Sequence, residues 1–88
     1  MASRTIELRN RRGLHARASA KFVTLASGLP IAVTVDKDGS SVCGTSIMGL
    51  MMLGAAYGDS ITISAEGEGA DAAVTTLAEL VEAKFGED

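Results

Sequence analysis

One histidine, His15, stands in the stretch Gly13-Leu14-His15-Ala16-Arg17, where turn-forming residues give way to a helical pattern. A neutral imidazole is a nucleophile, and a helix that starts at Ala16 aims its first backbone N–H groups and the positive end of its dipole at that ring. Arg17 adds a planar fork of donors that matches a phosphate. The combination points to a phosphoryl group carried on His15, with Arg17 stabilising the phosphate and the backbone of Ala16, Arg17 and Ala18 binding it. Other chemistries fit less well. A lone histidine is commonly structural or solvated, and a general base would need a substrate pocket with further polar groups. A metal site would need about three or four ligands, and only Cys43 and scattered carboxylates accompany the histidine. No metal and no cofactor are expected.

A second constellation is Thr45-Ser46-Ile47-Met48-Gly49-Leu50-Met51-Met52-Leu53-Gly54. In its simplest reading it is a helix capped by Ser46, with Leu50 and Leu53 facing the core and methionines filling gaps. One short helix cannot bury six large apolar side chains against one sheet. Some of Ile47, Met48, Met51 and Met52 are therefore expected on the surface, as an adaptable contact area for a protein partner. Ser46 has two readings, a plain N-cap or a phosphorylation site whose charge the helix start accommodates while a docking surface beside it does not. Arg11 and Arg12 precede the histidine and, with Arg17, form a basic patch that is either a solvated loop or an electrostatic guide to an acidic partner or to the phosphoryl group.

The elements that must position these residues follow from periodicity. Residues 5–9 alternate Ile6 and Leu8 with Glu7 and Arg9, as a strand with one wet face does. Residues Ala16–Ser27 carry Phe22, Val23, Leu25 and Ala26 at helical spacing, and Gly28 supplies the stop. Residues 31–37 alternate again, Asp38-Gly39 makes a two-residue hairpin turn, and Ser40–Cys43 returns. A short helix at 47–53, a strand at 60–66 and a helix at 70–85 complete the chain. In the last helix Ala73, Val74, Leu77, Leu80, Val81 and Phe85 share one face, Asp71 lies in the first turn, Lys84 in the last, and Gly86 is the stop. The order β-α-β-β-α-β-α, with one apolar face per strand, predicts an α+β open-faced sandwich: a four-stranded antiparallel sheet with three helices on one face. The 88 residues are read as a single domain, 1–88, with a thin aliphatic core lacking tryptophan. A net charge of −3 gives no overall attraction to nucleic acid or anionic lipid. The single Cys43 excludes an internal disulfide, and no apolar run is long enough to span a bilayer. With no signal-peptide pattern, a cytoplasmic location is expected.

Gly-Leu-His-Ala-Arg at 13–17 and Ser-Ile-Met-Gly-Leu-Met at 46–51 together resemble the histidine-containing phosphocarrier (HPr) family of the bacterial phosphoenolpyruvate-dependent phosphotransferase system, and length and element order agree along the whole chain. The resemblance implies that His15 takes a phosphoryl group on Nδ1 from phosphorylated enzyme I and gives it to a downstream enzyme IIA-type acceptor. Arg17 and the helix N-terminus would hold the phosphate. It also implies that Ser46 is a target of an HPr kinase/phosphorylase where the organism has one, and that Ile47, Met48 and Met51 belong to the partner-docking surface. Such a protein is a monomeric carrier rather than an enzyme. The family motif usually continues with proline, where this chain has Ala18, which offers one more N–H but a less rigid helix start. Two branches remain open, a carrier feeding sugar permeases and a nitrogen-related regulatory carrier. Rival readings are a non-catalytic anion-binding module and a domain that dimerises through its methionines.

Overall fold

The computed structural model describes residues 1–86; the expected end of the domain at residue 88 lies outside them. Four strands, β1 (Ala2–Glu7), β2 (Val33–Lys37), β3 (Ser40–Cys43) and β4 (Ser60–Ala65), form one antiparallel sheet in the order β1-β4-β2-β3. Three helices, α1 (Ala16–Ser27), α2 (Ile47–Met52) and α3 (Ala70–Glu82), cover one side. The predicted class and element order are those observed. Alternation explains the layering: Ile6, Val33, Val35, Ile61, Ile63 and Ala65 are buried beneath the helices. Thr5, Thr62, Thr34 and Ser64 point to the open side, where the Thr5 and Thr62 hydroxyls meet at 2.8 Å.

The helices complete the core with their own stripes. α1 contributes Ala18, Phe22 and Ala26 together with the buried Ser19, and α3 contributes Ala73, Val74, Leu77, Ala78 and Val81. α3 lies on β1 and β4, while α2 packs on α1 and β3. Burying one such aliphatic side chain stabilises the fold by about 1.5–3 kcal/mol. The hairpin turn has Asp38 at φ 51° and Gly39 at φ 87°, the doubly left-handed turn that suits the strand twist.

Several boundaries differ from the sequence expectation. β1 spans Ala2–Glu7 rather than 5–9, because β4 offers partners back to Ala65. Leu8 and Arg9 lie beyond the strand, and the Leu8 N–H donates to the Asp59 carbonyl at 2.8 Å. β2 begins at Val33, not Ile31, where β4 pairing begins and the Gly44 N–H reaches the Val33 carbonyl. α2 stops at Met52 and β4 at Ala65, each one residue short of expectation. Gly28 ends α1 in a right-handed conformation, so its freedom at positive φ is not used.

The largest correction is at the end of the chain. α3 stops at Glu82, and Lys84 is not in its last turn but in a separate 3-10 turn at Lys84–Gly86. Lys84 and Phe85 have φ of 58° and 56°. This left-handed step, which costs about 1–2 kcal/mol per non-glycine residue, accompanies complete burial of Phe85. Lys21 of α1 closes the turn by donating from Nζ to the Phe85 carbonyl at 2.7 Å.

Candidate functional site

The loop leading to His15 is pinned before the helix begins. Asn10 and Gly13 bond each other twice: the Asn10 amide donates to the Gly13 carbonyl at 2.8 Å, and the Gly13 N–H to the Asn10 carbonyl at 3.2 Å. Gly13 sits at φ 61° against the chain before β4, where a Cβ would strike the Ala55 carbonyl and come within 2.7 Å of the Ala56 Cα. Only glycine fits both the conformation and the space. Leu14 is buried, its N–H bonds Ala55 at 3.0 Å, and its carbonyl accepts from the buried Ser19 hydroxyl at 3.2 Å.

His15 then takes the N-cap of α1 with extended backbone, φ −76° and ψ −179°, and its half-buried imidazole does not cap the helix. The first intrahelical bond runs from the Ser19 N–H to the His15 carbonyl at 2.9 Å. The N–H groups of Ala16, Arg17 and Ala18 therefore have no carbonyl within the helix to meet. Arg17 is exposed in the first turn, and no acidic residue lies there to oppose an anion. Arg17 also stands at one end of a groove of about 590 Å³ lined by Lys21, Leu25, Leu29 and Leu80.

α2 presents the opposite character. Ser46 caps it, accepting from the Gly49 N–H at 3.0 Å, and is partly exposed. At Gly49 space rather than conformation is tight: a Cβ there would lie 3.0 Å from the Ser46 Oγ and 3.1 Å from Val42, so these side chains would have to give by a few tenths of an ångström. Leu50 alone is fully buried, and Leu53 is half-buried. Ile47 and Met51 are each 40% exposed, Met48 69% and Met52 80%. The gap-filling reading of the methionines thus fails for Met48 and Met52. Three residues beyond α2, Ala55 receives the Leu14 N–H, so the end of this apolar helix adjoins the His15 loop.

Sequence reasoning missed the parts played by Asn10 and Ser19. Asn10 followed three residues later by glycine is a turn signal that was available; nothing local marks Ser19 as buried. Arg11 and Arg17, grouped from sequence into one patch, border different hollows: Arg11 one lined with Arg9, Tyr57 and Lys84, Arg17 the groove along α1. Among the described residues, no group of three or more His, Cys, Asp or Glu side chains could hold a metal ion, and no helix is long and apolar enough to cross a membrane.

The fold and the site define a small open-faced sandwich that offers a histidine at a helix N-terminus beside an exposed apolar helix. A family profile described as the PTS HPr component phosphorylation site matches residues 2–83, and the chain belongs to this HPr family of phosphocarrier proteins of the phosphotransferase system. It is 46% identical over 87 residues to the phosphocarrier protein HPr of Neisseria meningitidis, covering 99% of this chain and 98% of that one. To the phosphocarrier protein NPr of Shewanella violacea it is 38% identical over 84 residues, covering 96% and 92%. The HPr of Thermoanaerobacter tengcongensis superposes with a TM-score of 0.94 at 44% identity, over 100% of this chain and 99% of that one. A dimer of the same HPr gives a TM-score of 0.77 at 45% identity, over 99% and 100%.

Proposed function

We propose that this protein cycles between His15 and phospho-His15, accepting the phosphoryl group from phosphorylated enzyme I and passing it to an enzyme IIA-type acceptor. The observation that carries the proposal is the N-cap position of His15, ahead of the N–H groups of Ala16, Arg17 and Ala18, which meet no carbonyl within the helix. In the transfer, an imidazole nitrogen attacks phosphorus as the bond to the donor histidine breaks. Donors that already point at the phosphate need no reorganisation as the transferring group becomes more metaphosphate-like. The same imidazole is the leaving group in the next transfer. Such a carrier needs no pocket of its own, because each partner completes the site, and it acts as a cytoplasmic monomer that releases each partner.

Ile47, Met48 and Met51 form the docking surface in this reading. Ser46, where a kinase exists, is a negative switch: a phosphate on Oγ can take over the Gly49 N–H while placing charge beside the apolar side chains. The similarity to an NPr supports a second reading, a nitrogen-related regulatory carrier using the same His15 chemistry with a different acceptor.

The test is incubation with phosphoenolpyruvate and enzyme I. The expected result is an acid-labile mass gain of one phosphate, abolished in His15→Ala with the fold retained, and slowed about tenfold or more in Arg17→Ala. Phosphate uptake by His15→Ala would refute the site, and a failure of the intact protein to gain phosphate would refute the carrier role. A purely anion-binding module would hold phosphate without the covalent mass gain.

A further inference from the structure

We propose that Asp59 is a positioning residue for the phosphorylation of His15, acting through the peptide unit that joins Ala55 to Ala56; this role rests on the phosphocarrier reading. The Oδ2 of Asp59 accepts the Ala56 N–H at 2.9 Å. The carbonyl of the same peptide unit, that of Ala55, accepts the Leu14 N–H at 3.0 Å. A peptide unit is planar and rigid, so holding its N–H fixes where its carbonyl points. A charged acceptor on the N–H also polarises the unit and makes its carbonyl a stronger acceptor. Leu14, the residue held in this way, directly precedes His15. Its own carbonyl is fixed from the other side by the Ser19 hydroxyl at 3.2 Å, and its side chain is buried. The Ala55–Ala56 unit is also the wall that leaves no room for a Cβ at Gly13.

The carboxylate is not needed to form the turn it sits in. Residues 56–59 turn through Gly58 at φ 90°, and the Asp59 N–H closes the turn on the Ala56 carbonyl at 2.9 Å. The turn is tied to the chain after β1 as well: the Gly58 N–H donates to the Leu8 carbonyl at 2.9 Å, and the Leu8 N–H to the Asp59 carbonyl at 2.8 Å. Backbone bonds thus hold the turn, and what the side chain adds is its grip on the Ala55–Ala56 peptide. Lys37, at the end of β2, places its Nζ 3.8 Å from the same Oδ2 and 3.1 Å from Asp38, and its charge favours the ionised carboxylate. The docking side chains of the phosphocarrier reading, Ile47, Met48 and Met51, lie on α2 and outside this turn. Loss of the carboxylate should therefore act on the placement of the imidazole more than on docking.

The experiment compares the intact protein with Asp59→Ala and Asp59→Asn, amide spectra showing that each is folded. Phosphorylation by enzyme I is followed over a range of carrier concentrations, and the Leu14 amide and the His15 ring are followed by NMR. Asp59→Asn keeps an oxygen that can accept the Ala56 N–H and loses the charge. Asp59→Ala is expected to lower kcat about tenfold with KM changed less than about twofold, and Asp59→Asn to stay within about threefold of the wild type. The Leu14 amide should exchange with solvent about tenfold faster in Asp59→Ala, and the His15 ring resonances should move. An unchanged kcat in Asp59→Ala would overturn the proposal. So would an equal loss in Asp59→Asn, which marks a pure charge effect, or a rise in KM alone, which marks docking. If Asp59→Ala does not fold, Asp59→Glu takes its place, keeping the charge but displacing the carboxylate from the Ala56 N–H; a wild-type kcat in that variant would refute the proposal. Failure of the intact protein to gain phosphate refutes the phosphocarrier reading instead. The NMR arm then decides the positioning, which fails if the Leu14 amide and the His15 ring are unmoved in Asp59→Ala.

Discussion

The His15 loop and α2 lie against each other and are built on opposite rules. In the loop every step is tied down: Asn10 to Gly13, Gly13 against Ala55 and Ala56, Leu14 to Ala55, Ser19 back to Leu14. α2 is six residues long, held by one buried leucine and one serine cap, and exposes four large apolar side chains. A phosphoryl site must hold its donors within a fraction of an ångström, because displaced donors lose transition-state stabilisation. A docking surface that meets several partners gains from the reverse, since unbranched methionine side chains repack around different shapes. In the proposed function, rigidity and adaptability fall to neighbouring segments, joined by the Leu14–Ala55 hydrogen bond.

The contrast can be broken from either side. The largest effect is expected from Leu50→Ala, which removes the one fully buried anchor of α2: a loss of about 2–5 kcal/mol in urea unfolding. A loss below about 0.5 kcal/mol, the range of ordinary surface substitutions, would show that α2 is not anchored through Leu50. Gly13→Ala places a methyl group against the Ala55–Ala56 backbone in a left-handed conformation. It should cost about 3 kcal/mol and slow His15 phosphorylation even where the protein remains folded. If stability falls while the phosphorylation rate is unchanged, the pinned loop is not what positions the imidazole.

A smaller effect is expected at the helix cap. Ser46→Ala leaves the Gly49 N–H without its partner and should cost about 1 kcal/mol. Ser46→Asp can restore the cap yet should slow phosphorylation by enzyme I through its charge, an effect that salt reduces. Equal phosphorylation rates for the wild type and Ser46→Asp at low and high salt would refute the switch. Met48→Ala lies at the end of the series. Its stability should change by less than about 0.5 kcal/mol, while its KM as a substrate of enzyme I rises about threefold or more as contact area is lost. An unchanged KM would remove Met48 from the docking surface.

Local patterns already specified much of this protein. The bounds of α1, the Asp38-Gly39 hairpin, the Ser46 cap and the apolar stripe of α3 are written in residues a few positions apart, and short-range sterics and hydrogen bonding decide such features. The reading of His15 at a helix start rests on the same local logic. Exposure of methionines on α2 followed from counting apolar residues against the area one short helix can bury, but which methionine protrudes most depended on the packing of α2 against α1 and β3.

Tertiary structure alone decided the rest. The insertion of β4 between β1 and β2 extends β1 back to Ala2, where the sequence shows no alternation, because a strand partner supplies hydrogen bonds that local pattern does not encode. Burial of Ser19 and of Asn10 depends on the chain folding back over them. The end of α3 is a matter of long-range packing: a helical pattern continuing to Phe85 is overridden by a left-handed turn as Phe85 enters the core and Lys21 bonds its carbonyl. The close fit of Gly13 against Ala55 and Ala56 unites residues more than forty positions apart, and only the folded chain brings them into contact.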